Sequence, residues 1–258
     1  MHPSPIKQRI RESFDRAAAT YDAAAVVQRR VCDRLLAEFK QPSPATPRRI
    51  LDAGCGTGYA ARLLRRRWPE AHLTGVDFAP AMLARARHDT DLCCAADIEA
   101  LPFADRRFDL WWSSLTIQWC DTAKVFAEAA RVLEPAGRLA VSTLGPDTFS
   151  ELRAAFAGVD RHRHTLPFDT AEALVAALTQ AGFDRVTLRR EQHIVYYPDL
   201  ITLLRAVKAI GAHNVGAGAR RGMMGRAAWQ KLEAAYEQQR QAAGLPASYD
   251  VILGYASK

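Results

Sequence analysis

Residues 50–58 read ILDAGCGTG: a short apolar run, the acid Asp52, then Gly54, Gly56 and Gly58 at alternate positions. A strand that ends at the edge of a parallel sheet must turn sharply, and glycine tolerates the backbone angles such a turn needs. Lacking Cβ atoms, the same glycines let a ligand press against backbone N–H groups, which suits a carboxylate or a phosphate. A second apolar run, Leu73–Val76, ends in Asp77, about 20 residues beyond the glycines, where an acid grips ribose hydroxyls. A glycine turn alone is equally a tight turn. Joined to a correctly placed acid, it predicts a nucleotide-like ligand.

A third segment, Asp97-Ile98-Glu99, follows another apolar run. The Asp97 carboxylate can accept from the exocyclic amine of adenine while the Ile98 backbone offers a donor, and Met82 with Ile98 supplies apolar walls. A helix N-cap is the alternative role for Asp97, and simple core packing the alternative for Met82. His162 and His164 form an H-x-H pair without a third ligand at metal-site spacing, so no metal is expected.

These residues need elements to hold them. Apolar runs at Ile50–Ala53, Leu73–Val76, Leu92–Ala96, Phe108–Leu115 and Gly137–Leu144 alternate with helical stretches near 59–68, 80–88 and 121–133. Such alternation predicts an α/β fold, a parallel sheet with helices on both faces and its ligand outside the carboxyl ends of the strands. Ahead of it, residues 6–39 have apolar positions at near-helical spacing, and the proline-rich 41–47 separates this cap from the sheet. Beyond Leu144 the expected order is helix 148–156, helix 170–180, an edge-like alternating strand 186–197, helix 199–210, a glycine-dense stretch, helix 227–243 and a final strand 249–255.

The 258 residues suit one α/β domain with appendages, or two small domains, and 49% hydrophobic with 24% charged residues is ordinary for a globular chain. No apolar run approaches a membrane span, and the N-terminus has no apolar segment of the secretory kind. Five cysteines without a C-x-x-C pair read as reduced thiols, hence a cytoplasmic setting. The net charge of +7 has two readings, an arginine-rich compositional bias or a surface that meets an acidic partner. Arg62, Arg65, Arg66 and Arg67 crowd one helix, yet no interleaved aromatics or basic arm mark a nucleic-acid reader.

Taken in order, LDAGCGTG, GVDFAPAML, AADIEALPF, FDLWWSS and LEPAGRL resemble the class I S-adenosylmethionine-dependent methyltransferases over residues 48–144. The resemblance implies a Rossmann-like, seven-stranded, mostly parallel sheet. It gives Gly54, Gly56 and Gly58 the methionine part of the cofactor, Asp77 the ribose, Asp97 the adenine, and Asp52 the ordering of the loop. Ser113 joins this cofactor set. A nicotinamide-dependent oxidoreductase shares the loop and the acid but has no need of the DIEALPF block.

Outside that core, FDRAAATYDAAAVVQRR, SSLTIQWC, STLGPDTFSELRAAFAGVD and VKAIGAHNV resemble the malonyl-acyl-carrier-protein O-methyltransferases of biotin precursor synthesis across nearly the whole chain. Ala209, where relatives often carry glycine, and Leu166-Pro167, where polar residues are usual, depart from the pattern. The implied organisation is a helical cap over 1–45 and a methyltransferase domain over 46–258, with a lid insertion at about 198–245. The implied reaction is methyl transfer to the free carboxylate of malonyl-acyl carrier protein, an acidic partner for the arginine cluster and for Arg220 and Arg221. A quinone precursor or other small metabolite is the alternative acceptor, and a non-catalytic cofactor-binding regulator a third reading. An ionised carboxylate needs no general base, so no catalytic acid or base is assigned. Positioning falls to Tyr21, Gln118 and Trp119, with Lys208, His213, Asn214 and Arg220 as candidates for the malonyl carboxylate.

Overall fold

A computed structural model describes residues 4–40, 46–162, 164–209 and 224–258. Three helices open the chain: α1 (Pro5–Ala17), α2 (Tyr21–Ala24) and α3 (Val26–Glu38). Then follow β1 (Arg49–Ala53), α4 (Tyr59–Arg67), β2 (His72–Asp77), α5 (Pro80–Ala86), β3 (Leu92–Ala95) and β4 (Phe108–Ser114). A 3-10 turn at Ile117–Trp119 leads into α6 (Thr122–Val132), β5 (Leu133–Leu144), α7 (Ser150–Ala157) and α8 (Ala171–Gln180). The remainder is β6 (Asp184–Tyr197), α9 (Leu200–Ala209), α10 (Arg226–Glu237) and β7 (Leu245–Ser257).

The strands form one seven-stranded sheet in the order β3-β2-β1-β4-β5-β7-β6. β1 to β5 pair in parallel, and β7 runs antiparallel between β5 and β6. Strand order reverses between β1 and β4, and a crevice opens at such a switch point. The tandem Trp111 and Trp112 show how the sheet is covered on both sides. Consecutive strand residues face opposite ways, so Trp112 packs with Val31, Leu35 and Leu64 of α3 and α4. Trp111 packs on the other face with Val125, Phe126 and Leu178 of α6 and α8.

Several boundaries differ from the sequence expectation, each for a local reason. The cap is not one helix over 6–39: Thr20 folds back on the Ala17 carbonyl through its N–H (2.9 Å) and hydroxyl (3.3 Å), and Ala25 leaves helical angles at ψ 42°. β5 begins at Leu133 rather than Gly137. Its register shifts between Phe108 and Leu110 of β4, because Pro135 lacks a donor and Ala136 takes φ 66°, a bulge. β7 is longer than 249–255 because it is hydrogen-bonded along both edges. α10 stops at Glu237, short of residue 243, and the chain turns at Gln241 and Gly244, where φ is 122°. β6 is the edge strand its alternation announced, with β7 alone beside it.

Candidate functional site

β1 delivers its last residue, Ala53, to the strand tips, and the glycine loop turns there. Gly54 and Cys55 both donate to the Val76 carbonyl, at 2.7 and 2.9 Å, which pins the loop to β2. Gly54 has φ 78°, and a Cβ on it would fall 2.2 Å from the Thr116 side chain. Gly56 has φ 52°, but a Cβ there would meet nothing within 4 Å. The backbone of Gly56 therefore borders open space that a ligand can fill. Gly58 serves differently: it precedes the first turn of α4 with φ 86° and is closed in by Ala86 and Asp89.

Two buried carboxylates flank this loop. Asp77 Oδ2 accepts from the Gly56 N–H at 2.9 Å and Oδ1 from the Ala79 N–H at 2.8 Å. Burial lifts Asp77 to about 6 even though these N–H groups favour its charged form. Asp52 is lifted to about 8, by burial first and by the charge of Asp77 second. Its Oδ2 is buried without a hydrogen-bond partner. The hydrogen bond to the loop backbone thus comes from Asp77, while Asp52, expected to order the loop, lines a cavity shared with Tyr21 and Gln28.

Beside the loop, at the strand tips, lies a cleft, the place where a sheet of this topology takes its ligand. Tyr21, Gly54, Gly56, Asp77, Met82, Asp97, Ile98 and Trp119 of the expected set all line it. Met82 and Ile98 are at once walls and core, with 1% and 5% of their surface exposed. Asp97 caps a turn through the Glu99 N–H at 3.0 Å and caps no helix. Ser113 does not reach the cleft: its hydroxyl donates inward to the Ala53 carbonyl at 2.6 Å, and the side chain is fully buried. The pleat turns Ser114 to the cleft instead. The sequence reading also missed Lys7, Phe14, Phe78, Ala96, Leu115, Thr116 and Cys120, which complete the lining.

A second chamber adjoins the first, the two sharing Phe14, Tyr21, Leu115 and Trp119. Phe14 meets Trp119 edge-on at 5.7 Å, so cap and sheet brace one another across this partition. Gln118 lines the second chamber, but its amide donates to the Leu115 carbonyl at 2.6 Å and its oxygen accepts from Thr143 at 3.4 Å. Lys208 lies in α9, its side chain outside the described residues, as are His213, Asn214, Arg220 and Arg221 altogether. Among the described residues no three His, Cys, Asp or Glu side chains gather as metal ligands, and no helix is long and apolar enough to cross a membrane.

The arginine cluster of α4 is partly spent within the fold. Arg62 pairs with Asp89 at 2.7 Å and Arg65 with Asp91 at 2.6 Å, leaving Arg66 and Arg67 as its exposed members. The helix starts at the glycine loop and runs about 1.5 Å per residue away from the strand tips, so these two lie far from the cleft.

Strand order, glycine loop and buried acids define a Rossmann-like class I methyltransferase. Residues 51–141 match the family described as a methyltransferase domain. The fold resembles the crystal structure of an S-adenosylmethionine-dependent methyltransferase, a possible histamine N-methyltransferase, from Thermotoga maritima (TM-score 0.57, 17% identity, 96% of this chain and 99% of that one). The chain is also similar to the malonyl-[acyl-carrier protein] O-methyltransferase of Dechloromonas aromatica, 50% identical over 98% of this chain and 95% of that protein. The biotin biosynthesis bifunctional protein BioHC of Teredinibacter turnerae is 38% identical over 98% of this chain and 47% of its own length. The chain belongs to the malonyl-[acyl-carrier protein] O-methyltransferase family.

Proposed function

We propose that this chain transfers a methyl group from S-adenosylmethionine to the free carboxylate of a malonyl group borne by acyl carrier protein, a step of biotin precursor synthesis. The observation that carries the reading is the pair of adjoining chambers. One is built on the glycine loop and Asp77, and the other is mostly apolar and meets it across Tyr21 and Trp119.

The residues fit the cofactor. Gly56 leaves room against its backbone, and the unpartnered Asp52 Oδ2 suits an ammonium group such as that of the methionine moiety. Asp77 suits the ribose hydroxyls, while Met82 and Ile98 suit the flat faces of adenine. S-adenosylmethionine, when bound, supplies an electrophilic methyl carbon on sulfonium sulfur.

The chain's own task is positioning. A malonyl carboxylate is ionised at pH 7, so no side chain need remove a proton. Burial, with Asp77 and Asp22 adding to it, pushes the Tyr21 phenol well above its ordinary range, and the hydroxyl stays a donor. Phe14, Tyr21 and Trp119 exclude water where the chambers meet, which keeps the carboxylate oxygen nucleophilic. Holding oxygen, carbon and sulfur in line at about 3–3.5 Å supplies the rest. The segment between β6 and β7 is proposed as the lid over this pair of chambers, and residues 1–45 as the cap. The net charge of +7 supports an acidic carrier as partner.

Incubation with methyl-labelled cofactor and malonyl-, succinyl- or apo-carrier protein tests the proposal. An alkali-labile label on the malonyl form is the expected result. Label on a quinol, or binding without any transfer, overturns it.

A further inference from the structure

The second chamber contains one side chain, among its described lining residues, that can carry positive charge: His164. Its ring lies flat on Phe156 of α7, the centroids 3.4 Å apart and the planes 7° from parallel. Its Nε2 is held at 2.7 Å by Asp160 Oδ1, just beyond the end of α7. Both His164 and Asp160 are largely withdrawn from water, with 14% and 15% of their side-chain surfaces exposed. No hydrogen bond to Nδ1 is found among the described residues.

An imidazole fixed by stacking on one face and by a carboxylate at one nitrogen has its remaining nitrogen committed to a direction. With Nε2–H donated to Asp160, a neutral ring turns a lone pair outward from Nδ1, whereas the imidazolium turns out a second N–H donor. An anion arriving at Nδ1 selects the cation. The other titratable groups lining the chamber, Tyr21 and Tyr249, are held neutral by burial. Asp160 also accepts from the His162 backbone N–H at 2.9 Å, which fixes it behind His164.

We propose that His164 holds the distal carboxylate of the substrate, with Asp160 behind it as a positioning residue, an inference that rests on the function proposed above. The chemistry selects an acyl group ending in a carboxylate and disfavours one ending in methyl. A single imidazolium on the non-attacking oxygen leaves its partner oxygen free to attack, which a guanidinium gripping both would not.

The test uses the full chain with malonyl-carrier protein as substrate and acetyl-carrier protein, which lacks the distal carboxylate, as competitor. In His164→Gln, loss of one charge-assisted hydrogen bond is expected to raise KM for the malonyl form about ten- to hundredfold. The inhibition constant of the acetyl form and the affinity for S-adenosylmethionine stay unchanged, and discrimination between the two acyl groups collapses. Asp160→Asn, which keeps an oxygen acceptor for the His162 N–H, shifts KM in the same direction by a smaller factor. Discrimination retained in both variants of an active enzyme overturns the assignment, as does a fall in kcat with KM unmoved. A wild-type chain that methylates no malonyl-carrier protein overturns the underlying function instead.

Discussion

Lys7 of α1 and Glu99 of the loop after β3 are joined by an ion pair of 2.7 Å, and the same ammonium pairs with Asp97. Burial pulls the Lys7 ammonium down, but hydrogen bonds to both carboxylates outweigh it and leave its pKa above the ordinary value. The Asp97 end of the cleft is thereby tied to the first helix of the cap. Asp97, expected to meet the adenine amine, shares its Oδ2 with a lysine.

Lys7→Met should therefore free α1 from the floor of the cleft. The ion pair is partly buried, and its loss is worth about 1 kcal/mol. Dissociation of S-adenosylmethionine is expected to quicken about fivefold in stopped-flow measurements. Salt should accelerate release from the wild type and leave the variant unaffected. Identical off-rates and salt responses would show that the pair does not gate the cleft.

Asp77 does two jobs, since the carboxylate that faces the cleft also accepts from Gly56 and Ala79. Asp77→Ala should weaken S-adenosylmethionine binding about tenfold or more while the chain still folds. Titration calorimetry reads the first effect and thermal melting the second. Unchanged affinity would remove the ribose role from this residue.

The glycines separate into two kinds by the same reasoning. Gly54→Ala places a methyl group inside Thr116 at a positive φ, so the loop should be disrupted and the melting temperature fall sharply. Gly56→Ala meets no protein atom and costs only the left-handed backbone term, about 1–2 kcal/mol. Its methyl group would stand where the ligand is proposed to lie. Near-normal folding with a disproportionate loss of cofactor affinity is expected, and equal effects on both properties would contradict the proposal.

Features with local chemistry were readable in the sequence. Gly54, Gly56 and Asp77 declare a turn and an acid by type and spacing, and the alternation of Val186–Tyr197 declared an edge strand. Contacts set by the tertiary fold were not readable. Lys7 meets Asp97 across 90 residues, and nothing in either neighbourhood points to the other. Ser113 and Ser114 are identical in type, so only the pairing of β4 with β1 decides which turns inward. Phe14, Tyr21 and Gln28 all line the second chamber, but they stand on three separate helices, so no single helical period announced them.

The two raised acids make stability depend on pH in a definite direction. Asp52 and Asp77 titrate near 8 and 6 in the folded chain, against about 3.9 when unfolded. Between these values the folded state holds protons that the unfolded state has released, so stability falls as pH rises. Its contribution is complete below about pH 4 and is lost as the pH passes through 6 and then 8. Asp52→Asn removes the share of this dependence that belongs to Asp52, from about pH 4 to pH 8, without changing side-chain size. In the absence of cofactor, the variant should melt close to the wild type below about pH 4 and draw steadily above it as the pH rises toward 8.5. An ammonium seated against Asp52 would favour its charged form, so saturating S-adenosylmethionine should flatten the wild-type curve toward that of the variant. Parallel curves for the two proteins across this range would show that Asp52 ionises normally and is no waiting partner for a cation.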